Sequence, residues 1–576
     1  MKTAILFFSA AVLSGTAYLL KNGRPPVNST YKERTIVYCA PSFDPSLIND
    51  TNAPLLDGLG KWNYKVSTSS EKAARYFNQG LALMYGFNHG EAARSFKTAT
   101  RLDSTMAMAY WGIAMVLGPN YNASLNPTSL ADINAAVDKA VEYSGKAQPH
   151  EQALINAIAR RFPRSEVKDL VPYYEAYAAA MKQAHEQFPD DAEIATLYAD
   201  ALMVMHPWDL WLKDGTAQPW TPAIIHLLES NLAKYPNHPG SIHYYIHATE
   251  ASREAGRAIV YADKLIDAMP AAGHLVHMPS HTYIRTGDYH KGVLVNEAAS
   301  EADSSYIAQC KVQGAYPLVY YPHNIHFLAA CAFLEGNSKK AMNAAWMVSR
   351  KADKQFMHQL PGVQHFYIIP YYMLVQLGQW KEILQLPSPS DSLLYPKAIW
   401  HYARGMAFSA KGEKAKAKKE LQSLEKISTD ESLKQKMWEM NTVADLVQIA
   451  LYTLRGEMLG AAKQYDQAFI ALQRAVAIED QLLYMEPPDW FFSIRLTLGH
   501  WLVQAGRFRD AERVYREDLV TFPENGWALK GLYNSLKGQR RSKEAAEVQQ
   551  RFDKAWQWAD IRLSSSRVYW RVPIWV

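Results

Sequence analysis

The stretch Gly90-Glu91-Ala92-Ala93-Arg94-Ser95-Phe96-Lys97-Thr98-Ala99 decides the fold. Ala92, Phe96 and Ala99 are spaced four and three apart, so they share one face of a helix. A small, large, small face of this kind lets another helix approach closely. The partner comes just upstream, in the segment that begins at Phe77 and carries Gly80. The spacing predicts a helix hairpin over residues 77–103.

The pattern returns along the chain. It is found at Ala258, Ala262, Leu265 and Pro270; at Ala417, Leu421 and Leu424; at Ala468, Leu472 and Ala475; and at Ala511, Tyr515 and Pro523. Short turns precede the last three of these, at Lys411-Gly412-Glu413, Lys463-Gln464-Tyr465 and Ala505-Gly506-Arg507. A hairpin of this length cannot bury its apolar face alone, so neighbours must stack. No sustained alternation of period two competes with this reading.

On these residues the chain resembles the tetratricopeptide repeat (TPR) family. The resemblance covers roughly residues 70–560. It is strong at 73–106, 239–304 and 395–550 and weak at 120–235. It implies an all-α fold, a right-handed superhelical TPR-like solenoid of stacked helix hairpins. The expected organisation is an N-terminal helical region at 67–235, central His-rich repeats at 236–345, C-terminal repeats at 346–560 and a tail at 561–576. Trp208, Trp211 and Trp220 mark an insertion near 208–220, read as a loop over one rim.

The N-terminus carries Lys2 and then runs apolar from Ala4 to Leu20, broken by Ser9, Ser14, Gly15 and Thr16. Residues 1–20 read as a secretory signal or an N-terminal anchor. Residues 21–66, rich in Pro, Asn, Ser, Thr and Asp, read as a linker. The expected location is outside the cytoplasm, periplasmic or extracellular, with a membrane tether if the first segment is retained. At 576 residues the chain exceeds one compact core, which suits a repeat array. A net charge of +5 with both signs interspersed, no basic run and no RNA- or DNA-binding signature leave no nucleic-acid partner expected. The three cysteines, Cys39, Cys310 and Cys331, match neither a disulfide framework nor a zinc motif. The sequence holds no P-loop, no dinucleotide glycine fingerprint, no Gly-x-Ser-x-Gly elbow and no His-Glu-x-x-His pair.

Half of the eighteen histidines fall between His238 and His326. His243 and His247, His277 and His281, and His323 and His326 are each three or four apart, so each pair shares a helix face. One interval separates His243 from Ala258, His277 from Gly292 and His326 from Ala341, the small residues that mark the second helix of each repeat. The resemblance implies that these faces line the concave groove, where ligands bind. His243, His247, His277, His281 and His326 are expected to converge there, with His274 and His323 at the edge. Neutral imidazole is a metal ligand and a proton carrier. An all-imidazole site suits Zn, Cu, Fe or Ni, so a transition metal is the candidate cofactor. Tyr244, Glu250, Arg285 and Asn324 are candidate groove residues for a ligand. Pro279, between His277 and His281, either starts a helix or kinks one, and a kink would loosen that pair. Glu486-Pro487-Pro488-Asp489-Trp490 reads as a rigid loop with Asp489 capping the next helix.

Three function classes are consistent with these residues. One is a binding scaffold for a protein or peptide partner, an inference from fold analogy. The second is a metalloprotein, including a metal-dependent oxidoreductase or hydrolase built on the histidines. The third is a metal-free groove whose imidazoles do acid–base work.

Overall fold

The computed structural model describes residues 53–568 apart from 313–315 and 491. The expected signal segment and residues 21–52 of the expected linker lie outside the described residues. Helix pairs joined by short turns make up almost all of the rest. The first are α1 (Glu71–Tyr85) with α2 (His89–Leu102), α3 (Ala107–Leu117) with α4 (Leu130–Tyr143), α5 (Pro149–Ile158) with α6 (Val171–Gln187), and α7 (Ala192–Met205) with α8 (Thr221–Lys234). The middle of the chain forms α9 (Pro239–Thr249), α10 (Ile259–Ala268), the short α11 (Gly273–His277) and α12 (Pro279–Thr286), α13 (Tyr289–Cys310) and α14 (Tyr321–Leu334). Then come α15 (Ser338–Lys351), α16 (Pro361–Gln376), α17 (Trp380–Gln385), α18 (Leu394–Ala410) and α19 (Lys414–Ile427). The last are α20 (Val443–Ala461), α21 (Tyr465–Glu479), α22 (Ile494–Gln504), α23 (Phe508–Thr521), α24 (Gly526–Gly538) and α25 (Ser542–Ala555). Between α19 and α20, β1 (Lys436–Met437) and β2 (Asn441–Thr442) pair antiparallel, with Lys436 opposite Thr442. The fold is the all-α solenoid of stacked hairpins that the spacing predicts.

The deciding stretch shows why. Ala92, Phe96 and Ala99 are fully buried. A Cβ placed at Gly80 on α1 would come within 2.7 Å of the Phe96 ring, and one at Gly112 on α3 within 2.5 Å. The ring therefore wedges between two helices that only glycine lets come so close. Tyr515 on α23 repeats the device: a Cβ at Gly499 or Gly531 would lie 2.4 or 2.1 Å from its ring. Gly412 and Gly506 sit at φ +75° and +76°, so two of the predicted turns use the left-handed backbone that favours glycine.

Two apolar clusters organise the interior. One is drawn from residues 53–320 and the other from residues 284–563. The histidine-bearing helices α9, α11, α12 and α14 lie in the part of the chain where one cluster gives way to the other.

Several contacts go beyond the nearest-neighbour stacking of a simple array. Arg285 donates to the Thr521 carbonyl at 3.1 Å and Tyr289 to the Pro523 carbonyl at 2.7 Å. Trp527 Nε1 donates to the Phe333 carbonyl at 2.9 Å, and the Ser338 amide to Asp560 at 2.7 Å. The insertion behaves similarly. Trp211 Nε1 donates to the Ala248 carbonyl at 2.8 Å, while Lys213 donates to the carbonyls of Glu479 and Leu482. The loop thus ties α9 to the end of α21 and the segment after it.

Two expected loose segments are packed. The Ala53 amide donates to Thr98 at 3.1 Å, and Tyr76 donates to the Ala53 carbonyl at the same distance, so the end of the expected linker lies on α1 and α2. In the expected tail, Ile561 and Leu563 are buried and Ser566 donates to the Leu496 carbonyl at 2.8 Å. Among the described residues, no helix is long and apolar enough to cross a membrane.

Candidate metal centre

Four helices deliver the central imidazoles. α9 carries His243 and His247, α11 carries His274 and His277, α12 carries His281, and α14 carries His323 and His326. Pro279 opens α12 at its first turn, where its missing N–H costs nothing. It does not separate its neighbours: His277 Nε2 and His281 Nε2 are 2.9 Å apart.

The rings form two groups of three. His243, His247 and His274 each offer a nitrogen within 4.8 Å of the other two, and so do His277, His281 and His323. In the first group His243 is central, 4.9 Å from His247 and 5.0 Å from His274 between ring centroids. In the second His277 is central, 4.8 Å from His281 and 4.9 Å from His323. All are buried except His323, which is partly so. Four of the six, His247, His274, His281 and His323, line a cavity. His274 and His323, expected at the edge, belong to the two groups. His326 lines the same cavity but packs against His365, at 5.6 Å, outside both groups.

Hydrogen bonds set the tautomers. His243 Nδ1–H donates to the Tyr85 carbonyl at 2.7 Å, and a carbonyl can only accept. Asn296 Nδ2 donates to the Gly292 carbonyl, which turns Asn296 Oδ1 toward His277 Nδ1 at 2.7 Å. His247 Nδ1 meets Glu250 Oε1 at 2.9 Å. Each of these rings then presents a bare Nε2 on its other side. The Nε2 atoms of His243 and His247 and both ring nitrogens of His274 are buried with no hydrogen-bond partner. A buried polar atom left unsatisfied costs about 1–3 kcal/mol. Metal-ligating histidines show this arrangement, one nitrogen tethered to a carbonyl or carboxylate and the other free for the ion. The residues present fit a transition metal.

The electrostatics separate neutral rings from one ion pair. Burial, reinforced by the neighbouring imidazoles, holds His243, His274 and His277 well below the usual histidine range, and brings His323 to about 3. They are neutral at physiological pH. His281 runs the other way. Burial would lower it, yet Glu250 and Glu486 raise it. Burial would raise Glu250, yet His281 and His247 hold it below the carboxylate range. His281 Nδ1 forms ion pairs with Glu250 and, at 3.2 Å, with Glu486.

Aromatic residues wall the site under strain. Phe87, Trp208 and Trp438 sit at φ +55°, +56° and +52°, in the left-handed region that bulky side chains rarely adopt. Phe87 packs 4.6 Å from His243, and Trp208 and Trp438 line the cavity. Strained backbone of this kind costs roughly 1–3 kcal/mol and clusters at functional sites. The cavity measures about 50 Å³. One water needs roughly 10–15 Å³ on this measure, so the space suits a few waters or a small ligand.

The four candidate groove residues divide. Glu250 is central. Arg285 reaches the rim, 4.0 Å from Glu486. Tyr244 stacks on His243 at 5.6 Å, and burial and Asp200 push its hydroxyl up. Asn324 donates to Asp303 at 2.6 Å and serves the packing of α14 on α13. Asp489 does not cap α22, whose N-cap is Ser493. It accepts from Asn441 at 2.8 Å and lines the cavity. Glu486, His365 and Phe87 are site residues that spacing did not single out. The quoted run at 486–490 was the one signal for Glu486.

Asp303 provides a pH test of this interior. Burial pushes its carboxyl up to about 7, against the hydrogen bonds from Tyr316 and Asn324. The unfolded value is about 3.9, so between the two the folded state keeps a proton that the unfolded state has lost. That stability is fully present below about pH 4 and is lost as pH rises toward 7. Asp303→Asn cannot titrate. The stability gap between wild type and variant should therefore shrink from about pH 5 to pH 7, by up to about 1.4 kcal/mol per pH unit. Urea midpoints at the two pH values measure it, and a gap independent of pH would contradict the assignment.

Comparison with known proteins adds little. No protein-family model and no curated protein matches the chain. Among solved structures, the human IFIT1 dimer with m7Gppp-AAAA is similar over 85% of this chain and 91% of its own, at 14% identity and a TM-score of 0.30. Yeast Tom70 is similar over 84% and 91%, at 11% identity and 0.27. The P58(IPK) TPR domain is similar over 82% and 99%, at 11% identity and 0.20. The fold assignment rests on the helices described above.

Proposed function

We propose that this protein is an exported metalloprotein, a TPR-like scaffold whose histidine cluster holds a transition metal of the Zn, Cu or Fe class and presents it to a small ligand. One observation carries the reading: the buried, unpartnered Nε2 atoms of His243 and His247 stand beside His274, with their Nδ1 atoms already tethered. When bound, the metal supplies Lewis-acid or redox chemistry at the cavity. The chain's own residues hold the ligand nitrogens in place and surround the site with aromatic rings. The cavity beside the cluster favours a small-molecule ligand, and with it a metal-dependent enzyme, over a peptide laid along these histidines.

The test is metal content. The tag-free mature protein, purified after growth with added Zn, Cu and Fe in turn, is expected to carry at least stoichiometric metal by mass spectrometry. His243→Ala with His247→Ala and His274→Ala is expected to lose it while keeping its helical spectrum. Wild-type protein free of metal under all three supplements would defeat the proposal.

A further inference from the structure

We infer that the cluster is a two-ion centre, with His243, His247 and His274 holding one metal, His277, His281 and His323 the other, and Glu250 orienting both. The inference rests on the metal reading above and deepens it.

Three features point to two ions. The first is the grouping itself. Six imidazoles sit as two sets of three, each set with its nitrogens within 4.8 Å of one another. Three protein ligands per ion leave a position open for water or substrate, the pattern of catalytic sites.

The second is Glu250. Its Oε1 meets His247 Nδ1 at 2.9 Å, and its Oε2 is paired with His281 Nδ1. One carboxylate therefore tethers a ring from each set. Tethered at Nδ1, both rings turn Nε2 away from Glu250: His247 Nε2 is unpartnered, and His281 Nε2 faces His277 Nε2 at 2.9 Å. With His277 Nδ1 held by Asn296, the second set would hold its ion at this facing pair of Nε2 atoms. Glu486 adds a second buried carboxylate on the same side, with Oε2 lying 3.2 Å from His281 Nδ1. Two buried carboxyl groups on this side would help offset the charge that a second cation brings into the interior.

The third is the cavity. His247 and His274 from the first set and His281 and His323 from the second all line it. Rings from the two sets stand 5.7 Å apart at His247 and His281, and 5.8 Å apart at His274 and His277. A small oxygen-donor ligand in that space would meet both ions, as in sites where two metals clamp one substrate.

The experiment counts ions. Metal-free wild type is titrated with Cu(II) and examined by native mass spectrometry and electron paramagnetic resonance. Two equivalents should bind, with a signal well below the copper content because neighbouring Cu(II) ions couple. His243→Gln with His274→Gln, and separately His277→Gln with His323→Gln, should each bind one equivalent with the full signal. Glu250→Gln should weaken both steps. Far-ultraviolet circular dichroism checks that each variant is folded, and the wild-type count decides the matter even if one variant is not. One equivalent in the wild type would overturn the two-ion inference and leave the metal reading standing; none would defeat both. Two equivalents with the full signal, or two retained in both double variants, would place the ions outside this shared centre and overturn the inference.

Discussion

Phe96→Ala is expected to destabilise the protein by about 3–5 kcal/mol, the cost typical of removing a large buried ring. The expectation comes from the wedge that Phe96 makes between α1 and α3. Gly80 and Gly112 already give the closest approach that a backbone allows, so the helices have little room to settle into the space left behind. The midpoint of guanidinium unfolding, compared with wild type, measures the loss. A loss below about 1 kcal/mol would mean that the hairpins collapse around the gap and that the ring does not set their spacing.

The second large effect is at Glu250. In chelator-treated protein, Glu250→Gln should cost about 3–5 kcal/mol at neutral pH, because removing one partner of a buried pair strands the other. Glu250 is buried against His247 and His281 at once, and the amide cannot balance the charge on His281. Glu254→Gln, an exposed change four residues on in the turn that follows α9, is the control and should be near neutral. If Glu250→Gln matched that control, the carboxylate would not be holding the imidazoles.

Much of the fold was legible because repeat packing is local. Ala92, Phe96 and Ala99 announce a helix face within a few residues, and the glycines that receive Phe96 lie in the adjoining helices. The histidine cluster was legible for the same reason: a turn of helix places His243 beside His247. What spacing could not give was the depth of the site or its partners from elsewhere in the chain. Register puts His326 at the same repeat position as His243 and His277, but α14 turns it toward His365 and brings His323 in instead. Glu486 arrives from a loop some two hundred residues away in sequence, and Phe87 from the turn between α1 and α2. Asp489 reads as a cap because its actual partner, the Asn441 side chain that donates to it, lies far away in sequence.

The ties from α12 and α13 to the loop after α23, and from Lys213 to the residues after α21, bear on how the array comes apart. In an ordinary solenoid each repeat leans only on the next, so end repeats can fray while the centre holds. Here Arg285 and Tyr289 bond to Thr521 and Pro523, and Lys213 reaches Glu479 and Leu482. Loosening the C-terminal repeats removes support from the helices that carry the imidazoles. The chain must also close long loops before those bonds form, which slows folding as sequence separation grows. Stability gained at the histidines is thereby shared with repeats far along the chain, and the array should melt with a cooperativity that its local repeats alone would not provide.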